Sequence, residues 1–431
     1  MQTPHIVIIG GGQAGATAAA ELRRREFAGQ ITLVGEEPYL PYERPPLSKD
    51  ALLDPDNVQL NVHPERFYTE QNITLKLGVR ADTIDAQQGC VTLSNGETLK
   101  YDSLLLATGA QARRLPELDA LGSVSHVLRT LDDANRIRAQ LKPGSHVLLV
   151  GAGVIGLELA SSLIALGASV ELIDPAARVM SRNAPEVLSQ YLQTVHEARG
   201  VRFHLGTQVS KAHLDQEQKV VLTLDNGQQL QGDLLIYGVG VTIDTRLADS
   251  AGLHTEQGAI VIDEHGRSSQ PAIYAAGDTT VQIGMDGRWQ RQETWENANH
   301  QACMAVCHML NQEPAQASPA WFWTDQCDMN IQFAGDMAAA HWIVRGDLDT
   351  PPFVLIGLDP EGAICGAITV NQGRDMRPLK ELIEHRAVLP LEVWNDTAQN
   401  LRNLAKQIAQ ATNSPAAIAA VAVEAAAPLH P

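Results

Sequence analysis

Two glycine clusters constrain this chain more than any other feature. Gly10-Gly11-Gly12-Gln13-Ala14-Gly15 and Gly151-Ala152-Gly153-Val154-Ile155-Gly156 share one spacing, G-x-G-x-x-G. Each follows a short apolar run, His5-Ile6-Val7-Ile8-Ile9 in the first case and residues 146–150 in the second. Each leads into a segment with helical periodicity, over 14–26 and about 154–166, and then into a second apolar run, 31–34 and 169–173. The pattern is β-α-β written twice. In such a turn the first glycine allows the tight bend, the second lets a pyrophosphate approach the backbone, and the third lets helix and strand pack closely. The helix N-terminus then faces the phosphates.

An acidic residue stands about 20 residues beyond each loop, Glu36 in one and Asp174 in the other, where a carboxylate can accept hydrogen bonds from a ribose. Asp174 favours the free ribose hydroxyl of NAD over a 2′-phosphate, although Arg178 and Arg182 follow closely. Two loops imply two dinucleotides. FAD together with NAD(P)H is the economical pair, with NADH preferred.

The repetition extends past the loops. Short alternating segments at 73–77 and 90–93 surround Asn95-Gly96, and a similar layout recurs over 220–236 around Asn226-Gly227. Asn-Gly marks a hairpin turn. Each half closes on an apolar strand ending in glycine, Leu104 to Gly109 and Leu234 to Gly240. After Trp323 the pattern changes to antiparallel strands over 331–370 and helix over 375–410. The expected class is α/β: two Rossmann-like dinucleotide-binding domains plus a C-terminal α+β domain. The expected boundaries are 1–112 with 242–322, 113–241, 323–410, and a flexible tail over 411–431.

With 431 residues there is room for two or three domains. The net charge of −18 argues against nucleic acid or an anionic membrane as partner. No apolar run is long enough to span a bilayer, and the first residues lack a leader pattern, so a cytoplasmic location is expected. The five cysteines, Cys90, Cys303, Cys307, Cys327 and Cys365, contain no C-x-x-C and fit a reducing compartment. Cys303 and Cys307, one helical turn apart, read as two small buried residues. No histidine makes ligand spacing with cysteine or carboxylate, so no metal site is expected.

Ala107-Thr108-Gly109 and Ala275-Ala276-Gly277-Asp278, taken with the two loops, resemble the glutathione-reductase-like superfamily of FAD/NAD(P)H disulfide reductases over residues 5 to about 280. Disulfide reductases of that superfamily place reactive cysteines soon after the first acidic residue. Here the stretch is Pro41-Tyr42-Glu43-Arg44-Pro45-Pro46-Leu47-Ser48-Lys49, and no cysteine precedes Cys90. The chain instead resembles ferredoxin and rubredoxin reductases of bacterial oxygenase systems. Glu293-Thr294-Trp295-Glu296-Asn297-Ala298, Trp321-Phe322-Trp323-Thr324-Asp325-Gln326 and Asn371-Gln372-Gly373-Arg374-Asp375-Met376-Arg377-Pro378 look most like reductase components of aromatic-ring dioxygenases, of the biphenyl or 3-phenylpropionate (cinnamate) type.

That resemblance implies FAD contacts at Gln13, Ala14, Glu36, Arg44, Lys49, Val79, Arg129, Asp278 and Trp295. It implies NADH contacts at Val154, Ile155, Glu158, Asp174 and Arg182. Lys49 and Glu158 match a pair the family keeps near the flavin, and Trp323 matches an aromatic on the route to the iron–sulfur partner. Trp321 reads as a core or interface aromatic. The implied reaction passes hydride from NADH to FAD, then single electrons to a [2Fe–2S] ferredoxin, Rieske-type, within a multicomponent dioxygenase system. Arg374, Arg377 and Lys380, with Arg288 and Arg291, are candidate docking cations for it. A rubredoxin reductase, an NADH oxidase of the same fold and a redox-sensing interaction protein are the alternatives.

Overall fold

The computed structural model describes residues 3–284, 287–314 and 318–411. The chain divides into two compact units. The first takes in the described residues of Met1–Arg113, Arg129–Leu131 and Val239–Ala317. The second takes in Arg114–Leu128, Asp132–Gly238 and the described residues from Ser318 onward.

In the first unit, strand His5–Ile9 lies in the middle of a five-stranded parallel sheet. The spatial order is Ile273–Ala275, Ser103–Leu106, His5–Ile9, Gln30–Gly35, Ile73–Leu77. Successive side chains on a strand point to opposite faces, and both faces here are covered. Ile6 and Ile8 pack with Ala18, Leu22, Ala302 and Val306 of helices Gln13–Arg24 and Trp295–Met309. Val7 and Ile9 pack on the other side with Val91, Leu93, Leu253 and Ile260. Burial on both faces explains why the strands read as unbroken apolar runs.

Residues 73–77 differ from the sequence expectation. They are the parallel edge strand, not part of the hairpin sheet, which is Ala81–Asp85, Cys90–Leu93 and Thr98–Lys100. A parallel neighbour needs a long crossover, and the chain between Gly35 and Ile73, with its helix Glu65–Glu70, provides one. Gly96 turns the hairpin at φ +84°.

The second unit repeats the plan. Its parallel sheet runs Arg202–Leu205, Ser169–Asp174, His146–Val150, Leu234–Tyr237, Ser125–His126. An antiparallel trio follows, Val209–Leu214, Val220–Leu224 and Gln229–Gly232. The C-terminal segment adds a five-stranded antiparallel sheet, ordered Trp321–Gln326, Met329–Gly335, Ile364–Val370, Phe353–Leu358, His341–Arg345.

The helical stretch expected over 375–410 is three helices: Met376–Glu384, Leu391–Asn395 and Leu401–Ala411. Arg386 takes a left-handed conformation (φ +47°) after the first, and Pro390 caps the start of the second. Both positions stop a continuous helix. Val354, Ile356, Leu379, Trp394 and Leu404 fill the core beneath them. Beyond Ala411 the expected tail lies outside the described residues. No helix among the described residues is long and apolar enough to cross a membrane.

Candidate functional site

The two glycine loops adopt nearly the same geometry. Gly10 has φ +123°, and a Cβ there would sit 2.0 Å from the Ala107 carbonyl oxygen. Gly151 has φ +115°, and a Cβ would sit 2.3 Å from the Gly238 carbonyl oxygen. Gly15 and Gly156 each close the turn, with a Cβ placed 2.0 Å and 1.9 Å from the oxygens of Gly10 and Gly151. Only glycine meets these demands. Gly12 and Gly153, by contrast, have nothing within 4 Å of a Cβ. Each caps its helix, Gln13–Arg24 or Val154–Ala165, without any side-chain cap. First-turn amides therefore stay available beside open space, and this is the cradle a pyrophosphate fits. The Gln13 amide oxygen is buried without a hydrogen-bond partner among the described residues, an acceptor waiting for a donor.

Around the first cradle, a polar network fixes the residues carried over by resemblance. Arg129 Nη2 pairs with Asp278 Oδ2 at 2.8 Å, and its Nε donates to the Ala110 carbonyl at 2.8 Å. Arg44 Nη1 donates to the Arg129 carbonyl at 2.6 Å, and Nη2 pairs with Glu37 Oε1 at 2.9 Å. Tyr42 OH donates to Glu37 Oε2 at 2.7 Å. Burial pushes the Tyr42 phenol well above its ordinary range, so it stays a donor. Asp278 follows Gly277, whose amide donates to Gln301 Oε1 at 2.8 Å and whose φ is +82°. Thr108 Oγ1 donates to Thr279 Oγ1 at 3.1 Å, and Gly109 faces Arg129. Val79 donates its amide to the Gly35 carbonyl at 3.0 Å. Trp295 opens helix Trp295–Met309, and its Nε1 donates to Glu43 Oε1 at 3.3 Å. Lys49 is buried just after the turn Pro45–Ser48. Glu36 is exposed at the strand end, 4.0 Å from Arg80, open to a ribose.

Sequence reasoning missed Glu37, Tyr42 and Gln301 here. Glu37 is next to Glu36, and Tyr42 is two residues before Arg44. Only the fold shows that Gln301, from a helix late in the chain, holds Gly277.

Around the second cradle, the Asp174 carboxylate is engaged by backbone amides. Its Oδ2 accepts from the Ala152 amide at 2.6 Å and its Oδ1 from the Ala176 amide at 2.7 Å. The carboxylate pins the glycine loop to the strand end that carries it. Asp174→Asn leaves one of those amides without its acceptor, at about 1–3 kcal/mol. The expected result is an NADH KM raised about tenfold, with FAD content unchanged; a KM within twofold of wild type contradicts this role. Arg178 donates to Ala184 O, Ser189 Oγ and Ser181 O, which holds its guanidinium against the segment that follows the strand. Arg182 is exposed, as is Ile155 on the first helical turn. Gly240, also expected here, falls in the first unit, where it turns at φ +102° and its carbonyl accepts from the Arg113 amide.

Glu158, one turn into helix Val154–Ala165, is buried and accepts from Thr324 Oγ1 at 2.7 Å. Thr324 belongs to strand Trp321–Gln326, so the C-terminal sheet reaches the helix that the second loop opens. The other face of that strand carries Trp321 and Trp323. Their rings stack on each other, 5.2 Å apart at 21°, and Trp323 Nε1 donates to Asp325 Oδ2 at 3.1 Å. Trp321 also lines a cleft of about 530 Å³ with Gln332, Met376, Arg377, Lys380 and Glu384. The expected basic patch is therefore of mixed sign: Arg377 pairs with Glu381 at 3.2 Å. Arg291 is bonded to Glu293.

All five cysteines are free. Burial pushes the Cys303 thiol up to about 11. No group of three or more His, Cys, Asp or Glu among the described residues is arranged to hold a metal ion.

The sequence pattern of the pyridine nucleotide-disulphide oxidoreductase family matches residues 4–302. The chain belongs to this family. Residues 321–405 match the reductase C-terminal family. The 3-phenylpropionate/cinnamic acid dioxygenase ferredoxin–NAD(+) reductase component of Photorhabdus laumondii is 45% identical over 388 residues, 90% of this chain and 98% of the relative. Among solved structures, a chain of the covalent putidaredoxin reductase–putidaredoxin complex matches with a TM-score of 0.89 at 33% identity, over 96% of this chain and 100% of that one. The ferredoxin reductase for the CYP199A2 system of Rhodopseudomonas palustris matches with a TM-score of 0.87 at 32% identity, over 93% and 99% of the two chains. The α/β class with two Rossmann-like domains and a reductase C-terminal domain, expected from the sequence, is the fold observed.

Proposed function

We propose that this chain is the FAD-dependent ferredoxin–NAD(+) reductase of a multicomponent aromatic-ring dioxygenase system. It takes reducing equivalents from NADH and passes them singly to a Rieske-type [2Fe–2S] ferredoxin. One observation carries the reading: two open glycine cradles of matching geometry stand in a chain with no thiol before Cys90. The frame is that of disulfide reductases, but the cysteine pair they use is missing, so the electrons must leave by another route.

FAD is assigned to the first cradle, with residues 1–112 and 242–322 as its domain. NADH is assigned to the second, within 113–241, and 323–410 to carrier recognition. When bound, FAD supplies the step from two-electron hydride chemistry to one-electron output. The protein's own residues bind and orient. The first-turn amides after Gly12 and Gly153 receive the two pyrophosphates. Glu36 takes a ribose of FAD, and Asp174 holds the second loop and takes a ribose of NADH. Asp278, steadied by Arg129, takes polar groups of the FAD chain between ring and phosphates. Lys49 supplies a positive charge to the flavin ring and Glu158 a negative one to the NADH side. A cytoplasmic location is part of the proposal, supported by five unpaired thiols.

An acidic ferredoxin would dock on exposed cations. Arg374, in the turn Gly373–Asp375, and Arg377, in the first turn of helix Met376–Glu384, are exposed and are the assigned docking cations. The double change Arg374→Ala, Arg377→Ala is expected to raise the ferredoxin KM several-fold, more at low salt than at high. An unchanged KM removes this patch. The reaction itself is tested by stopped flow. NADH-reduced protein mixed without oxygen with a [2Fe–2S] ferredoxin should be reoxidised within the turnover time. Reoxidation by O₂ but not by ferredoxin overturns the proposal.

A further inference from the structure

Behind Glu158 runs a continuous line of buried polar side chains. Thr324 Oγ1 donates to Glu158 Oε1 at 2.7 Å. Gln326 Nε2 donates to Thr324 Oγ1 at 3.1 Å. His196 Nε2 lies 2.8 Å from Gln326 Oε1. An amide oxygen only accepts, so the histidine carries its proton on Nε2. Burial also disfavours the doubly protonated ring, holding His196 below its ordinary range. All three donors therefore point the same way, toward the carboxylate.

The placement follows from the fold. Thr324 and Gln326 are two apart on strand Trp321–Gln326 and share the face away from Trp321 and Trp323. The strand's exit is pinned to the same helix as Glu158 by the Cys327 amide, which donates to Ser161 Oγ at 2.8 Å. Cys327 and Asp328 form a two-residue turn with both φ values positive (53° and 59°), the geometry of a tight hairpin. His196 comes from helix Glu186–Ala198, with the Cys327 sulfur 3.6 Å from its Nε2 and Phe203 edge-on to its ring. His196 and Thr324 are fully inaccessible, Gln326 and Glu158 nearly so.

A core position filled by threonine, glutamine or histidine is dearer than one filled by apolar groups of like shape, unless every polar atom is satisfied. Here they are satisfied in series, and the series ends on a carboxylate one turn from the second glycine loop. We propose that Thr324, Gln326 and His196 are a positioning chain that fixes the direction in which Glu158 presents its carboxylate to the NADH half-reaction. The inference rests on the reading of Glu158 as acting in that half-reaction. No proton need move along the chain. Its work is to hold one rotamer of a long side chain, because small misplacements of a reacting group's neighbours are expensive in rate.

The test is a double-mutant cycle on the holoenzyme, read as the limiting rate of flavin reduction by NADH, with NADH Kd measured separately. Thr324→Val keeps the shape and removes the hydroxyl; it should slow the limiting rate about tenfold, the scale of one lost hydrogen bond to a charged group. NADH Kd should stay within about twofold. Thr324→Ser should restore most of the rate, and Gln326→Leu, one step further back, should cost about threefold. In a Glu158→Leu background, Thr324→Val should add nothing, because the group it positions is gone. Equal losses in both backgrounds, or no rescue by serine, overturn the positioning chain. Should Glu158→Leu reduce at the wild-type rate, the reading of Glu158 fails and the chain falls with it. Should Glu158→Leu be slow while Thr324→Val is not, only the positioning chain falls. Flavin content and melting temperature of each variant separate these outcomes from misfolding.

Discussion

Gly10→Ala is expected to yield protein that purifies without bound flavin, whereas Gly151→Ala keeps its flavin and loses reduction by NADH. The two positions do the same mechanical job in the two halves. At Gly10 an added methyl would lie 2.0 Å from the Ala107 oxygen, and at Gly151 one would lie 2.3 Å from the Gly238 oxygen. Backbone atoms just past the neighbouring strands Ser103–Leu106 and Leu234–Tyr237 cannot move aside as a flexible side chain can. The left-handed conformations, φ +123° and +115°, add roughly 1–3 kcal/mol of strain for any other residue. That strain alone is worth between several-fold and about a hundredfold in affinity, before the collision is counted. Absorbance of the purified protein near the flavin band reads the first variant, and NADH-dependent bleaching reads the second. The assignment of cofactors to loops is reversed if Gly151→Ala is the one that emerges colourless.

Arg129→Ala should be the next most damaging change. The guanidinium joins Asp278 to the Ala110 carbonyl, and its removal strands a carboxylate whose side chain is only 17% exposed. Breaking a buried pair costs several kcal/mol. This one is partly open to water, so about 2 kcal/mol is expected, corresponding to roughly thirtyfold weaker FAD binding. Arg129→Lys should recover part of the loss, since a lysine keeps the charge but cannot make both contacts at once. Flavin release on dilution, followed by fluorescence, measures it; an unaltered FAD Kd would show that Asp278 needs no partner.

Much of this was legible from the residues. Glycine spacing announced both cradles because the geometry excludes other residues at Gly10, Gly15, Gly151 and Gly156. Apolar runs announced the parallel strands because both faces of each sheet are covered. Other features depended on distance in the chain. Ile73–Leu77 looked like a hairpin strand, since nothing local says that a crossover will carry it beside Gln30–Gly35. The turn at Cys327-Asp328 has no glycine or asparagine to mark it. Asp174 was expected to meet a ribose, and only the fold shows that it also holds the Ala152 amide. Arg178 follows Asp174 closely in sequence, and only the fold shows its three protein acceptors, Ala184 O, Ser189 Oγ and Ser181 O. The line from Glu158 to His196 joins residues from three separated elements, and sequence spacing carries no trace of it.

The central claim is that a disulfide-reductase frame here works without a thiol and delivers electrons to a one-electron carrier. An anaerobic titration with NADH tests it most directly. One NADH per FAD should complete the reduction, and each NADH added with excess ferredoxin should reduce two [2Fe–2S] ferredoxins. Uptake of two NADH per FAD would reveal a second two-electron centre of the disulfide kind, and together with unreduced ferredoxin it would contradict the account.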